Sequence, residues 1–253
     1  MQSNAAATMA CTDVGMLKTK ILESVKQAQD NALSFAEIYQ DHQDMSDYEN
    51  EFLFFIKPEL TLKSKIDFKK VLDIVFDKVS EFGMVFTDIK VIGAPYLKKY
   101  QIIDQHYGQI NKLAKNARKE LSDSAREKFM ATFGTSVDDV NVMGGFEFLE
   151  KFPFFNPTSL EYLWQNKPNT KLAGGTYCLD VKMDADKVYL VNGFHPFQIL
   201  HFTEQGRSIV TFTLKGNLSW KDARQKFIGA TKPSDAEAGS LRNTLLLRKT
   251  ELG

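Results

Sequence analysis

Residues 51–59 read EFLFFIKPE. The first seven form a nearly continuous apolar run of strand length, and Pro58 closes it, which is the pattern of a buried central strand before a proline interrupts the ladder. Lys57 then falls at the strand end. Downstream, residues 66–82 place Phe68, Leu72, Val75, Phe76 and Val79 on one helical face, with Gly83 as the C-terminal stop. Residues 84–92 read as a second strand, and 96–110 return to helical spacing and carry His106 and Tyr107. The order is β-α-β-α. Upstream, Leu17, Ile21, Val25, Ala28, Ala32, Ala36 and Tyr39 keep a helical period from Asp13 to Tyr39, with Asp13 as N-cap. This helix is expected to be a prefix to the domain, joined to it by the acidic connector 41–51, which contains His42.

The chain has 253 residues, enough for one large domain or a small one with a substantial insertion. Hydrophobic residues at 43% and charged residues at 25% fit a soluble globular protein. Lys+Arg and Asp+Glu both number 32, so no global charge argues for nucleic acid, and anion binding has to come from local clustering. Cys11 and Cys178 are too few and too far apart for a metal site or a disulfide framework, so one exposed and one buried thiol in a reducing compartment is expected. The first residues lack a basic stretch followed by an apolar one, and no run approaches the ~18 apolar residues of a membrane span. A cytoplasmic location without membrane contact follows as the expectation.

Local clustering is found in residues 223–243, ARQKFIGATKPSDAEAGSLRN. Arg224, Thr231 and Arg242 are three residues suited to phosphate in one helix-to-loop passage. With Gly229, Pro233, Ala236 and Gly239 they resemble the nucleoside diphosphate kinase segment R…GAT-x-P-x-x-A-x-x-G-[ST]-[IL]-R. The β-α-β-α run from FLFFIKPE to HY resembles the same family's amino-terminal half, with Glu59 where the family usually has Asp. The resemblance implies an α+β fold: a ferredoxin-like core with a mainly antiparallel sheet, an N-terminal helical extension (1–50) and a kinase-like domain (51–253) carrying an inserted α/β segment at about 108–192. It also implies a site. Lys57, Arg224 and Arg242 would hold phosphates, Thr231 would add a hydroxyl donor, and Tyr107 would stand near the lysine. Two arginines suit a bidentate grip on phosphate oxygens, and Lys57 a movable point charge. Mg²⁺ would bridge the phosphates of ATP or ADP instead of sitting in a protein cage. Family members transfer the γ-phosphate of a nucleoside triphosphate to a diphosphate through phosphohistidine, and they commonly form homo-oligomers.

The insertion opens with a basic helical stretch, 111–134, carrying Lys112, Lys115, Arg118, Lys119, Arg126 and Lys128, read as a solvated face, with an extra contact to an anionic ligand as the alternative. Gly144-Gly145 and Gly174-Gly175 are expected as turns, since no P-loop lysine and hydroxyl follow either pair. Residues 176–183 and 187–191 are expected as a hairpin. The resemblance resumes at HPFQILHFTEQGRSIVTFTLKGN (195–217), which places Phe197 at the family's base-stacking aromatic; Phe155, within KFPFF at 151–155, is the competing choice.

One departure bears on activity. The family's phosphate-accepting histidine follows the last arginine within an N-x-x-H strand, whereas no histidine follows Arg242 here. Asn192–His195 spell N-x-x-H, so two readings of His195 stay open: the acceptor in a rearranged order, or a residue that merely precedes Pro196-Phe197 in a turn, and the catalytic residue is left unknown. His201 reads as a helix-face residue. Without the histidine-bearing strand, the sheet has an exposed edge unless 187–191 or the N-terminal extension covers it. Three classes stay open: a nucleoside diphosphate kinase, a non-catalytic nucleotide-binding relative with a regulatory or interaction role, and a ferredoxin-like interaction module without nucleotide.

Overall fold

The structure is a computed structural model, and it describes residues 11–41, 47–62, 66–183 and 186–253. Its strands are β1 (Phe35–Gln40), β2 (Asn50–Ile56), β3 (Val85–Gly93), β4 (Asn141–Gly144), β5 (Thr170–Ala173), β6 (Thr176–Met183), β7 (Asp186–Val191) and β8 (Ser208–Gly216). They form two four-stranded sheets, ordered β1-β3-β8-β2 and β4-β7-β6-β5. All pairings are antiparallel except β4 with β7. The fold is α+β. Two compact units hold these sheets, one made of residues 1–96 and 205–253 and the other of 97–204. The second unit encloses the segment 108–192 and extends past it at both ends.

In the first unit the helix Phe68–Glu81 buries Val71, Leu72, Val75, Phe76 and Val79, and Gly83 follows it with φ +63°, as its spacing predicts. That face packs against Ile89 and Val91 of β3 and Val210, Phe212 and Leu214 of β8. Alternate residues of a strand share a face, so the even positions of β8 line this core. Phe212 takes part in a chain of ring contacts with Phe54, Phe76 and Phe86 at centroid distances of 4.8, 6.3 and 5.7 Å.

The N-terminal expectation needs correction. The helix Cys11–Gln29 ends well before Tyr39, and residues 35–40 are strand β1, paired with β3. Asp13 lies in the helix's first turn and does not cap it. The stop is Asn31, at φ 58°: its N–H reaches Ala28 O at 3.0 Å while the Ala32 N–H reaches Gln27 O at 2.8 Å. That pair of bonds is a Schellman closure with Asn in the left-handed position. The helix is also no mere prefix, because Leu17, Ile21 and Val25 are buried in the same core as Leu72 and Phe212. Of the connector, residues 42–46, including His42, lie outside the described residues, and Asn50 already belongs to β2.

β2 is not central. It stands at the end of the order β1-β3-β8-β2, and its apolar run serves two surfaces: Phe52 and Ile56 are buried, whereas Leu53 is 65% exposed. A continuous apolar run does not by itself distinguish a central strand from an edge strand. Lys57 follows the strand and precedes the proline-initiated turn Pro58–Thr61. Among the described residues no strand pairs with the outer side of β2; of the anticipated N-terminal cover, β1 pairs with β3 instead.

In the second unit β7 is buried on both sides, with Val188 and Leu190 in one apolar cluster and Tyr189 and Val191 in another. The β6–β7 hairpin is found, as is the turn at Gly174-Gly175. The helical stretches 96–110 and 111–134 are each broken. Gln101 (φ 50°) separates Ala94–Lys99 from Ile102–His106, and the later stretch is divided into Gly108–Lys115, Ala117–Glu120 and Asp123–Phe133. Gly144 is not in a turn: it ends β4, and Gly145 opens the helix Gly145–Lys151. A Cβ on Gly144 would lie 2.3 Å from Ala114 O, so only glycine allows this approach. Among the basic residues, Lys115 pairs with Asp104 at 3.4 Å and Arg126 with Asp138 at 3.2 Å.

Ile21→Ala tests whether the first helix belongs to the core. Ile21 is fully buried there, so the variant should lose about 2–5 kcal/mol of unfolding free energy in urea denaturation, whereas a detachable prefix would show a change near zero.

Candidate functional site

The segment singled out by its arginines begins at the end of β8. Ser219 caps the next turn, its Oγ accepting the Asp222 N–H at 3.1 Å, and the short helix Trp220–Asp222 continues as a π-helix, Ala223–Ile228. Such wide turns hold an extra residue and occur often at functional sites. Ala223 and Phe227 point into the core, leaving Arg224, Gln225 and Lys226 exposed. Gly229 ends the helix at φ +86° and ψ 169°, a region open essentially to glycine alone. The chain then runs over an exposed loop and a single turn, Pro233–Asp235, buries Ala236, and turns again at Gly239. Ser240 is buried and caps the helix Leu241–Leu247, in whose first turn Arg242 stands. Arg242 Nη1 donates to Gly229 O at 2.8 Å, tying the end of the segment to its middle.

The result is a groove of about 1290 Å³ lined by Phe52, Leu53 and Phe54 of β2, by Trp220, Arg224, Thr231 and Arg242, and by the carboxylates Asp235 and Glu237. Three of the residues expected on phosphate thus share one cavity. Their electrostatic states differ. Lys226 is paired with Asp222 at 2.8 Å and Lys232 with Asp235 at 3.6 Å, so both are compensated locally. Arg242 is partly buried, and burial alone lowers its pKa from the ordinary value; no described carboxylate pairs with it. Arginine stays charged despite such a shift. Arg242 is therefore a partly desolvated cation lacking a counter-ion among the described residues, a state that an incoming anion relieves. Arg224 and Thr231 stand exposed in the same groove.

The remaining expected residues are not among those lining the groove. Lys57 is exposed and does not line the groove; it lies three residues beyond Phe54, roughly 10 Å along the strand direction. Tyr107 and Phe197 belong to the unit 97–204, and every residue lining the groove belongs to the other unit. Phe197 packs on His201 one helical turn away, at 5.2 Å between ring centroids. Phe155 is partly buried against Phe148 at 5.2 Å, inside an apolar cluster.

His195 is fully buried at the start of the helix His195–Thr203. Its Nδ1 lies 2.9 Å from Gln198 Oε1, while Nε2 is buried and has no partner among the described residues. The rings of Phe146 and Tyr107 stand 6.0 and 6.3 Å away. Burial lowers the His195 pKa, with opposing help from the Gln198 bond. The N-x-x-H pattern has a local structural use: Asn192 Oδ1 accepts the Tyr177 N–H at 3.0 Å and its Nδ2 donates to Gly175 O at 2.9 Å, binding the β5–β6 turn. Cys178 is buried, and burial pushes its thiol up to about 12; the Cys11 side chain lies outside the described residues.

Sequence reasoning missed the apolar wall of the groove. Trp220, Phe52 and Leu53 gave no signal beyond the placement of Trp220 four residues before Arg224. No cluster of acidic, histidine or cysteine side chains among the described residues suits a metal, and no described helix is long and apolar enough to cross a membrane. No family model matches the chain, and no curated protein or solved structure matches it significantly.

Two measurements test this geometry. A Cβ at Gly229 would lie 2.4 Å from Ser240 Oγ, so Gly229→Ala should cost about 1–3 kcal/mol of stability, by strain and clash together, in chemical denaturation. His195 has a folded pKa below its unfolded value of 6.5. The unfolded chain therefore takes up the proton first as pH falls, so the contribution of His195 is complete above 6.5 and is lost as pH drops from there toward the lower folded value. His195→Gln should flatten the slope of stability against pH in that window, and an unchanged slope would contradict the buried neutral imidazole.

Proposed function

We propose that the groove closed by Arg242 binds the phosphates of a nucleoside di- or triphosphate, and that the chain is a nucleotide-binding protein of nucleoside diphosphate kinase type. The observation that carries this reading is the partly buried Arg242 guanidinium, which has no carboxylate partner among the described residues. Arg224 and Thr231 in the same groove supply further donors, and charge-assisted bonds to phosphate oxygens are the strong ones. The order β-α-β followed, after the second unit, by β8 and the helical passage 220–228 supports a ferredoxin-like reading of the first unit. Mg²⁺ fits this set only through the ligand: Asp235 and Glu237 are the carboxylates lining the groove, and Asp235 already faces Lys232 at 3.6 Å. When bound, the ion would neutralise charge across the phosphates.

Binding without transfer is the favoured form. A phosphoryl acceptor has to present its nitrogen in line with the γ-phosphate, and His195 is fully buried between aromatic rings. One observation favours transfer as the second reading. The outer side of β2, whose Phe52, Leu53 and Phe54 line the groove, carries no described strand, so a histidine-bearing strand would have a free edge to pair with. In both forms the arginines stabilise phosphate charge.

Calorimetry with ADP and Mg²⁺ tests the reading. Arg242→Ala should weaken binding by about 1.5–3 kcal/mol, the scale of a hydrogen bond to a charged group. Because Arg242 also ties Gly229 in place, Arg224→Ala is the companion variant; its exposed side chain carries no such tie, and a loss there reports on ligand alone. Unchanged affinity in both variants would remove the phosphate assignment.

A further inference from the structure

The chain has two tryptophans, and they are placed oppositely. Trp164 is buried at 7% exposure, whereas Trp220 is 64% exposed at the wall of the groove. An indole is among the largest apolar surfaces a side chain offers, and leaving it in water forfeits the benefit of burial. Trp220 is nevertheless held in place. Ser219 caps its turn, and its ring stands edge-to-face with the buried Phe52 at 4.9 Å between centroids and 64° between planes. The contact with Phe52 fixes part of the indole and leaves most of the ring open to solvent. Trp220 also precedes Arg224 by four residues along one helical passage, and both line the groove.

We infer that Trp220 is the stacking platform for the base of a nucleotide whose phosphates lie on Arg224 and Arg242. The inference rests on the phosphate-binding reading of the groove and adds the base subsite that separates a nucleoside polyphosphate from a free polyphosphate. An aromatic face beside a cationic wall matches a ligand with one flat π-system and one multiply charged end. Stacking tolerates any base because each has a π-face, and the larger face of a purine is favoured over that of a pyrimidine. Phe197, the aromatic the sequence assigned to this role, is not among the residues lining the groove.

Tryptophan emission and calorimetry, read on the whole chain with ADP and with inorganic tripolyphosphate as the baseless probe, test this. Both ligands should bind, ADP should quench Trp220 emission, and tripolyphosphate should not. Trp220→Ala should weaken ADP roughly 5- to 150-fold and leave tripolyphosphate affinity within about twofold, while Trp220→Phe, which keeps an aromatic face, should recover most of the ADP affinity. If tripolyphosphate binds and Trp220→Ala leaves ADP affinity unchanged, or weakens both ligands equally in a folded protein, the stacking assignment is overturned and the phosphate site stands. If neither ligand binds the unaltered chain, the phosphate site itself fails and the inference falls with it.

Discussion

The groove depends on one closure, the 2.8 Å bond from Arg242 Nη1 to Gly229 O. Gly229 has to leave the π-helix at φ +86° beside Ser240, a path that only a residue without a side chain can take. The departure turns its carbonyl toward the helix Leu241–Leu247, and Arg242 in the first turn of that helix satisfies it. One donor of the guanidinium is thereby spent on the backbone, which orients the fork, and burial strips part of its water. What is left is a preorganised cation whose other donors have no partner among the described residues. An arginine in this state is worth more to an anionic ligand than a free surface arginine, because its side-chain entropy is already spent.

The core beneath the groove explains why the closure holds its position. Ala223 and Phe227 of the π-helix and Leu241 of the last long helix are buried in the same cluster as Phe212 and Leu72. Phe227 lies 5.9 Å from Phe54 and 5.5 Å from Phe82 by ring centroid, so the floor of the groove is continuous with the sheet and with the helix Phe68–Glu81. The N-terminal helix packs on the same core through Leu17, Ile21 and Val25. The exposed Leu53 and Trp220 stand apart from this economy, as apolar surface left at the groove wall.

Much of this was legible in the sequence where the signal is local. The helix Phe68–Glu81 showed in its 3.6-residue apolar period, the β6–β7 hairpin in its strand runs, and the clustering of Arg224, Thr231 and Arg242 in a frame of turn residues close together in the chain. The failures arose where local pattern and tertiary context disagree. Residues 32–39 keep a helical period, but the left-handed Asn31 ends the helix first and the segment pairs with β3. The apolar run of β2 reads as central, whereas β2 ends its sheet, and Phe52 and Phe54 join the core cluster while lining the groove together with Leu53. Lys57 is distant in sequence from the arginines and does not line the groove, and no local pattern fixes whether such a residue converges on them. For Asn192–His195 the pattern was present, but its side chains are committed to a turn and a buried helix start.

Hydrogen exchange of the whole chain with and without saturating ATP and Mg²⁺ tests the central claim most directly, because it locates the ligand without altering any residue. The account predicts slowed exchange across residues 220–242, greatest at the amides around Gly229, where Arg242 closes the segment. Binding that leaves these amides unchanged and protects only residues within 97–204 would contradict it.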